Sequence, residues 1–241
     1  GLHGRELWKC EGPDYDTPVM VLDIYPGSIG SEPENLTAIN DILFFSVDDG
    51  VHGRELCKCE GPEYDAPAMV ADMGPGSIGI YPDSMTLVND ILFFRAFDET
   101  NGRELWKCEG PDYLTPELVA DVRPGSTSSD LQYLTAVDEM LFFVADDGVN
   151  GSELWKCGPP YTNATLVADI WPGQYSSFTY ELTALNDILF FVARDVVVSY
   201  ELWKCEGPDY DAVELVADIN PGSIGSEPEN LTAINDILFF S

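Results

Sequence analysis

One segment of this sequence occurs five times, and this repetition constrains the fold more than any other feature. The tripeptide Glu-Leu-Trp, replaced once by Glu-Leu-Cys, begins at Glu6, Glu55, Glu104, Glu153 and Glu201. The motif Leu-Phe-Phe and the dipeptide Pro-Gly recur with the same spacing of 49 residues, apart from one step of 48. Self-similarity at this period indicates a propeller, a solenoid or a helical array.

Each repeat contains four short runs rich in Val, Ile, Leu, Phe and Trp, bounded by Asn-Asp, Asp-Gly, Gly-Pro or Pro-Gly. Runs of this length between turn residues indicate strands, and four strands per repeat are typical of a β-propeller blade. Leu-Phe-Phe places large side chains on both faces of its strand, so each sheet must lie between two neighbours. We therefore predict an all-β fold: a five-bladed β-propeller with four antiparallel strands per blade, in one domain over residues 1–241.

The two ends of the sequence carry complementary parts of one repeat. Residues 26–46 and 221–241 are identical, and they contain the first two strands of a repeat. The chain begins just before a third strand and ends just after a second strand. We expect the last blade to combine strands from both termini; the alternative is that the five repeats belong to a longer array.

Composition restricts the partners that such a protein can have. The formal net charge is −32, from 43 Asp and Glu against 11 Lys and Arg. This charge argues against nucleic acid, because binding phosphates needs clustered Lys and Arg, and against anionic membrane surfaces. No apolar run has the length needed for membrane insertion. The charge suits a saline setting or a cationic partner such as Ca²⁺, although solubility alone also explains it.

The basic and cysteine residues follow the repeat and are expected to be structural. One lysine per repeat lies in the third strand beside a glutamate, and we interpret it as half of a blade-edge charge pair. One cysteine per repeat occupies an equivalent position, and Cys57 adds a sixth. Equivalent positions on separate blades are too far apart for disulfides, so we predict free thiols buried between blades.

Paired acidic residues in the Asp-Gly loops suggest a calcium site. The candidate ligands are Asp48, Asp49, Asp146 and Asp147. Hard cations prefer several oxygens from a tight loop, often with a glycine. Arg194 breaks this pattern in a later repeat, and turn formation explains Asp-Gly equally well. No cofactor is required by the sequence, and Ca²⁺ is the one candidate.

No catalytic constellation is visible. His3 and His52 are the only histidines, and neither has a nucleophile and an orienting acid in a triad pattern. Repeated carboxylates do not provide the asymmetric acid and base of a glycosidase. We therefore predict that the chain is not an enzyme.

Three Asn-x-Ser/Thr sequons are candidates for glycosylation if the chain is secreted. Asn163 lies in a polar loop, whereas Asn35 and Asn230 begin the first strand of a repeat. For the latter two, threonine in the sheet is an equally good explanation of the pattern.

The repeated motifs resemble the ELWxxDGT repeat family. The resemblance covers the whole chain and is carried by Glu-Leu-Trp-Lys, Leu-Val-Ala-Asp-Ile, Pro-Gly-Ser, Leu-Thr-Ala-Ile-Asn-Asp and Leu-Phe-Phe, in that order. It implies a propeller and a large secreted or cell-surface protein. The family's Asp-Gly-Thr is replaced here, for example by Glu11-Gly12-Pro13, so no functional residue is transferred.

A repeated tyrosine is the best candidate for ligand binding. The Gly-Pro-Asp-Tyr loops contain Tyr15, Tyr64, Tyr113, Tyr161 and Tyr210, with aspartates at Asp14, Asp112 and Asp209. Exposed rings beside acids would suit multivalent binding of a glycan, although tyrosines at such corners are commonly part-buried. We predict an extracellular or cell-surface module that binds a glycan or protein ligand. The alternatives are a subunit of an extracellular coat, sheath or filament, in contact with neighbouring subunits, and, less favoured, a polysaccharide hydrolase.

Overall fold

The computed structural model of this protein describes residues 2–74, 76–221 and 224–241. Within these ranges all regular elements are β-strands. Three repeat positions discussed above, Gly1, Pro75 and Gly222, lie outside the described residues. The described part of the chain contains no helix with the length and apolarity needed to cross a membrane.

Sixteen of the strands form four antiparallel sheets of four strands each, and each sheet contains one repeat. The first sheet contains β3 (Glu34–Ile39), β4 (Ile42–Asp48), β5 (Arg54–Glu60) and β6 (Ala68–Met69). The second contains β7 (Asp83–Val88), β8 (Ile91–Asp98), β9 (Gly102–Glu109) and β10 (Glu117–Ala120). The third contains β11 (Gln132–Val137), β12 (Met140–Asp146), β13 (Ser152–Cys157) and β14 (Thr165–Ala168). The fourth contains β15 (Tyr180–Leu185), β16 (Ile188–Ala193), β17 (Glu201–Glu206) and β18 (Val213–Ala217). In each sheet the strands pair in chain order, as the repeat predicts.

The remaining four strands lie near the chain ends and form two separate pairs. They are β1 (Leu7–Lys9), β2 (Val19–Leu22), β19 (Thr232–Ile234) and β20 (Ile237–Phe239). β1 pairs with β2, and β19 pairs with β20. The structure thus contains two half-sheets where a shared closing blade is predicted, so five blades and closure are not confirmed.

Contacts divide the chain into two compact units. One contains residues 1–85, 90–99 and 107–117, and the other contains residues 86–89, 100–106 and 118–241. The prediction of a single domain remains a prediction.

Two local backbone features shape every complete sheet. The first and second strands are joined by a two-residue turn whose first residue has a positive φ, as at Asn40 (52°) and Asp138 (49°). Asn and Asp tolerate this left-handed region better than most side chains. The register between these strands also shifts, for instance between Gln132 and Thr135, and this region contains Tyr133 at φ 58°. The shift is a β-bulge, which bends the strand and adds twist.

Apolar side chains from adjacent sheets form the cores. In one unit, Phe142 and Leu154 of the third sheet pack with Leu189, Phe191 and other buried residues of the fourth. In the other unit, Phe45 and Val47 pack with Leu7 of β1. These contacts explain why the Leu-Phe-Phe motif is apolar on both faces, because each sheet buries side chains against a neighbour.

Most of the cysteines are buried, as the sequence predicts. Cys57, Cys59, Cys108, Cys157 and Cys205 are buried free thiols. Cys10, in the open half-sheet, is a free but exposed thiol. Burial raises the pKa of Cys57 to about 12 and that of Cys108 to about 11. Cys57 and Cys108 therefore remain protonated near neutral pH and act as small apolar side chains.

We predict that Phe142→Ala lowers the free energy of unfolding by about 3–5 kcal/mol, because it leaves a cavity among fully packed neighbours. Phe142 is 0% exposed. Val149→Ala is the control, since Val149 is 63% exposed in a loop, and its effect should stay within about 0.5 kcal/mol. Urea denaturation measures both, and a cost below about 1 kcal/mol for Phe142→Ala would contradict this packing.

Candidate functional site

Most of the predicted ring of tyrosines is buried, which corrects the expectation of an exposed aromatic surface. Tyr113, Tyr161 and Tyr210 are 3%, 5% and 4% exposed. The ring of Tyr113 meets that of Phe44 edge to face at 5.2 Å, and the ring of Tyr210 meets that of Phe142 at 5.1 Å. In both cases the phenylalanine belongs to the preceding sheet. These tyrosines therefore join adjacent sheets.

Tyr113 and Tyr210 have a positive φ, 50° at Tyr113, and their rings lie near the glycine three residues earlier. The exposed Tyr15 has the same backbone conformation, with φ 54°, so burial of the ring depends on the neighbouring sheet. A Cβ on Gly110 would lie 3.0 Å from the ring of Tyr113, so glycine is needed for this packing. The hydroxyl of Tyr161 donates to the carbonyl of Glu139 at 2.7 Å, which satisfies its polar end.

The two remaining tyrosines of this set are more accessible. Tyr64 is half-buried against the core beside β1, and Tyr15 is 66% exposed. Tyr15 lies in the open half-sheet formed by β1 and β2. Its exposure follows the incomplete sheet and does not indicate a repeated ligand site.

The aspartates of these loops are exposed, but their carbonyls bind lysines of the preceding sheet. The Lys58 Nζ donates to the carbonyl of Asp112 at 2.6 Å and to Glu60 Oε1 at 2.6 Å. Lys156 donates to the carbonyl of Asp209 in the same way. Asp14 is exposed in the open half-sheet. The repeat lysines thus form the expected ion pairs and also link adjacent sheets.

Carboxylates of the Asp-Gly loops cap their own turns. Asp48 Oδ1 accepts the N–H of Gly50 at 2.8 Å, and Asp49 Oδ1 accepts those of Val51 and His52 at 2.8 Å each. Burial acts to raise the pKa of Asp49, but the bonds to His52 and Val51 outweigh it and lower the pKa. The carboxylates are therefore already used in forming the turn.

Asp146 and Asp147 repeat this arrangement in the third sheet. Asp147 Oδ1 accepts the N–H groups of Val149 and Asn150 at 2.8 Å each. Asp146 Oδ2 accepts a bond from Arg123 at 3.1 Å. Over the described ranges, no three His, Cys, Asp or Glu side chains are grouped as a metal site would require. The calcium hypothesis thus gains no ligand set from these loops.

Both histidines are paired with an aspartate in a loop. His52 Nδ1 lies 2.6 Å from Asp49 Oδ2, and this bond raises the pKa of His52. His3 Nδ1 lies 2.8 Å from Asp23 Oδ2. These pairs stabilise turns, and neither brings a nucleophile to the imidazole.

The repeat glutamate of the third strand has an unexpected role. Glu104 is 0% exposed, and its carboxylate accepts the N–H of Val122 at 3.0 Å and that of Ser129 at 2.9 Å. Both donors lie in the loop that leads to the next sheet. Glu153 binds the N–H groups of Ile170 and Ser177 equivalently. Burial raises the pKa of both glutamates to about 7, although these donors act in the opposite direction.

The three sequon asparagines are exposed. Asn163 lies in a loop, while Asn35 and Asn230 lie at or beside first strands, where their backbone has a positive φ. The Nδ2 of Asn35 donates to the carbonyl of Pro82 at 3.1 Å. Asn163 is therefore the most accessible acceptor of the three.

An aromatic cluster surrounds Arg194 and is the strongest candidate site. The guanidinium carbon lies 4.5 Å from the ring centroid of Trp171, 4.4 Å from that of Phe178 and 5.3 Å from that of Tyr200. Tyr175 stacks on Trp171 at 5.7 Å and is 65% exposed. We call these five residues the Arg194 cluster.

Two small cavities adjoin the Arg194 cluster. One of about 220 Å³ is lined by Trp171, Arg194 and the loop 195–199. The other, of about 310 Å³, is lined in part by Phe178 and Tyr200. Together they place cationic, aromatic and hydroxyl groups beside open space, which is an arrangement suited to binding a small polar ligand.

The sequence identified Arg194 only as a residue that interrupts the Asp-Asp-Gly pattern of the loops. The break was the available signal, because a divergent residue in a regular repeat indicates a local role. Its neighbours Trp171, Phe178 and Tyr200 come from other loops, so their convergence depends on the fold.

Comparison with known proteins supports a propeller-like fold. No protein-family model matches the chain, and no curated protein sequence matches it either. A prolyl endopeptidase structure matches 82% of this chain with a TM-score of 0.52 and 13% identity, and a puromycin hydrolase matches 92% with a TM-score of 0.54 and 13% identity. TolB from Acinetobacter baumannii matches 89% of this chain and 49% of its own, with a TM-score of 0.49 and 11% identity.

The similarity extends to the fold alone. The chain spans 28% of the prolyl endopeptidase and 34% of the puromycin hydrolase. Both similar proteins are named as enzymes, which gives no support to the prediction that this chain is not one. At 13% identity they do not assign an activity either, so the absence of catalysis remains a prediction.

We predict that the protein loses stability as the pH rises from about 5 to about 8. The folded pKa of Glu153, about 7, lies above its ordinary value of 4.5. The stabilising contribution of the protonated form is therefore complete below the ordinary pKa and is lost as the pH passes the folded pKa. Urea midpoints at several pH values measure this slope.

Glu153→Gln should flatten the slope, because the amide does not titrate, even though it weakens one hydrogen bond to the loop. Glu99→Gln, in an exposed turn, is the control and should leave the slope unchanged. Equal slopes for the native protein and Glu153→Gln would show that this glutamate is ionised throughout the range.

Proposed function

We propose that this chain is a non-catalytic interaction module on a β-propeller scaffold, working outside the cell or at its surface and binding a glycan or a protein ligand. The observation that carries the proposal is the contrast between the repeats and the Arg194 cluster. Repeated polar residues cap loops or join sheets, whereas the cluster presents diverged aromatic residues beside cavities. A scaffold with a local, diverged surface is typical of a binding protein.

The proposed location rests on the resemblance to the ELWxxDGT repeat family, whose members are secreted or cell-surface proteins. The net charge of −32 is compatible with saline surroundings and opposes binding to nucleic acid or to anionic membranes. Glycosylation at the exposed Asn163, and less so at Asn35 and Asn230, belongs to this proposal.

The proposal includes a closed scaffold of five blades, with β20 pairing with β1 to complete the fifth. In three complete sheets, the second and third strands pair a leucine with a cysteine: Leu43 with Cys59, Leu141 with Cys157 and Leu189 with Cys205. The same register would place Leu238 opposite Cys10.

The open half-sheets expose side chains whose counterparts are buried. Phe239 is 52% exposed, whereas the equivalent Phe44 and Phe142 are 0% exposed. A cavity of about 500 Å³ is lined by Trp8 of β1 and by Leu36 of β3, among others. An additional strand pair packed there would cover this apolar surface, as sheets do elsewhere in the chain.

The same exposed edges favour the second candidate function, a structural subunit of an extracellular coat, sheath or filament. If β20 pairs with β1 of another copy, the contact is head to tail and generates an open assembly or a larger ring. A polysaccharide hydrolase remains the weakest alternative.

We expect the native protein to bind glycans on an array as a monomer and to show no hydrolysis of the bound sugars. The array is probed with and without millimolar Ca²⁺, and a dependence on Ca²⁺ would restore the metal hypothesis for Asp48, Asp49, Asp146 and Asp147. Polymerisation of the purified protein without any glycan binding would instead favour the structural subunit.

We predict that Leu238→Cys forms a disulfide with the native Cys10 under mild oxidation, within one chain. Directly paired residues have Cα atoms about 4.5–5.5 Å apart, within the range of disulfide geometry. Phe239→Cys is the control, because adjacent residues point to opposite faces of a strand. Non-reducing electrophoresis distinguishes the outcomes.

A faster-migrating monomer supports closure, whereas a ladder of linked multimers supports assembly through the same edges. If neither Leu238→Cys product forms, the proposed pairing of β20 with β1 is wrong. The control should yield neither product.

A further inference from the structure

Arg194 has no acidic partner among the described residues, unlike every lysine and four of the other five arginines. Every lysine has a carboxylate within 4 Å, and Arg5, Arg54, Arg95 and Arg123 do as well. Within residues 2–74, 76–221 and 224–241, no carboxylate forms an ion pair with Arg194. In a chain where acids greatly outnumber bases, an arginine without a counter-ion is unusual.

The guanidinium of Arg194 also retains unused hydrogen-bonding capacity. Its Nε is buried and has no hydrogen-bond partner among the described residues. Three of the four rings of the Arg194 cluster, those of Trp171, Phe178 and Tyr200, contact the guanidinium, and they accept no conventional hydrogen bond. Arginine carries five N–H donors and binds carboxylates and sulfates through two of them at once.

Comparison between repeats shows that this repeat lacks the arginine–aspartate ion pair but keeps the backbone hydrogen bond of the turn. In the preceding repeat, Arg123 of the Pro-Gly loop pairs with Asp146 of the next turn at 3.1 Å. In the following repeat, Trp171 occupies the position of Arg123, and Arg194 occupies the position of Asp146. The arginine thus lies in the turn instead of the Pro-Gly loop, and an aromatic residue lies opposite it. The N–H of Arg194 still bonds Ser177 at 3.1 Å, as that of Asp146 bonds Ser129 at 2.7 Å.

The larger cavity beside the cluster has the lining of a sugar site. Phe178 and Tyr200 line it together with Gln132, Tyr133, Ser152 and Thr179. Aromatic rings stack on the apolar faces of sugars, while amide and hydroxyl groups exchange hydrogen bonds with sugar hydroxyls. No residue lining this cavity carries a charge, although the carboxylates of Glu181, Glu227 and Glu229 act on Tyr180 in its wall and help to raise the pKa of that tyrosine.

We propose that the Arg194 cluster binds an acidic sugar, with a carboxylate or sulfate on the guanidinium and the sugar ring against the aromatic side chains. This inference rests on the proposed glycan-binding function and names its site and ligand class. Arg194 lines the smaller cavity together with Trp171 and Asp195, whereas Phe178 and Tyr200, whose rings contact its guanidinium, line the larger one. In this proposal the acidic group binds at the smaller cavity and the sugar ring extends over these rings to the larger cavity.

The overall negative charge does not prevent such binding. At physiological salt, exposed charges more than about 8 Å apart are largely screened. Arg194 therefore contributes a positive potential close to a bound anion, which opposes the potential of the nearby carboxylates. The acidic surface instead lowers the rate of encounter.

The test is a panel of uronate and sulfated oligosaccharides with their methyl-esterified and desulfated counterparts, presented to the intact chain. The tightest acidic member is then titrated calorimetrically against Arg194→Ala. Arg123→Ala is the matched control, since it removes an arginine from the corresponding loops of the preceding repeat. We expect at least about tenfold weaker binding for Arg194→Ala and less than about twofold change for Arg123→Ala.

Arg194→Lys distinguishes a loss of ligand contacts from a loss of folding. This variant keeps a cation among the rings but lacks the paired N–H donors of arginine. We expect intermediate binding from this variant, with melting temperatures recorded for every variant. Equal binding of acidic and neutral sugars, or native affinity in Arg194→Ala, would overturn this inference while leaving glycan binding intact. If no sugar on a broad array binds, both this inference and the glycan form of the proposed function fail.

Discussion

The structure depends on a buried carboxylate that binds the loop between one sheet and the next. Glu104 and Glu153 each accept two backbone N–H groups from that loop and are 0% exposed. A buried charge is costly unless hydrogen bonds satisfy it, so the glutamate and the loop depend on each other. Glu6 and Glu201 also accept backbone N–H groups from the loops that follow their sheets, so the interaction recurs in several repeats.

Adjacent sheets are then joined by side chains that the sequence presents as a surface. Tyr210 packs on Phe142, and Lys156 binds the carbonyl of Asp209. Both contacts need a neighbouring sheet on the correct side. The exposed Tyr15 and Phe239 show what happens at the open half-sheets, where that neighbour is missing. The open half-sheets therefore expose apolar surface that closure of one chain, or assembly of several copies, would cover.

The scaffold also explains how a local function can arise in a repeat protein. Because the loops are held by backbone hydrogen bonds, their outward side chains can change without loss of the fold. At Arg194 the turn is still capped by Asp195, whose Oδ1 accepts the N–H groups of Val197 and Val198 at 2.7 Å each. The outward residue changed from acid to base, and aromatic side chains collected around it.

The sequence by itself determined the strands, their order within each sheet and the positions of the turns. These features depend on alternation and on turn residues such as Asn40 and Gly50, which act within a few residues of chain. Only the tertiary structure decided that Tyr113 is buried, that Glu104 caps a loop and that Arg194 meets three rings. Each of these outcomes depends on groups from other strands, loops or sheets, and burial and electrostatic environment are properties of those neighbours, not of the local sequence.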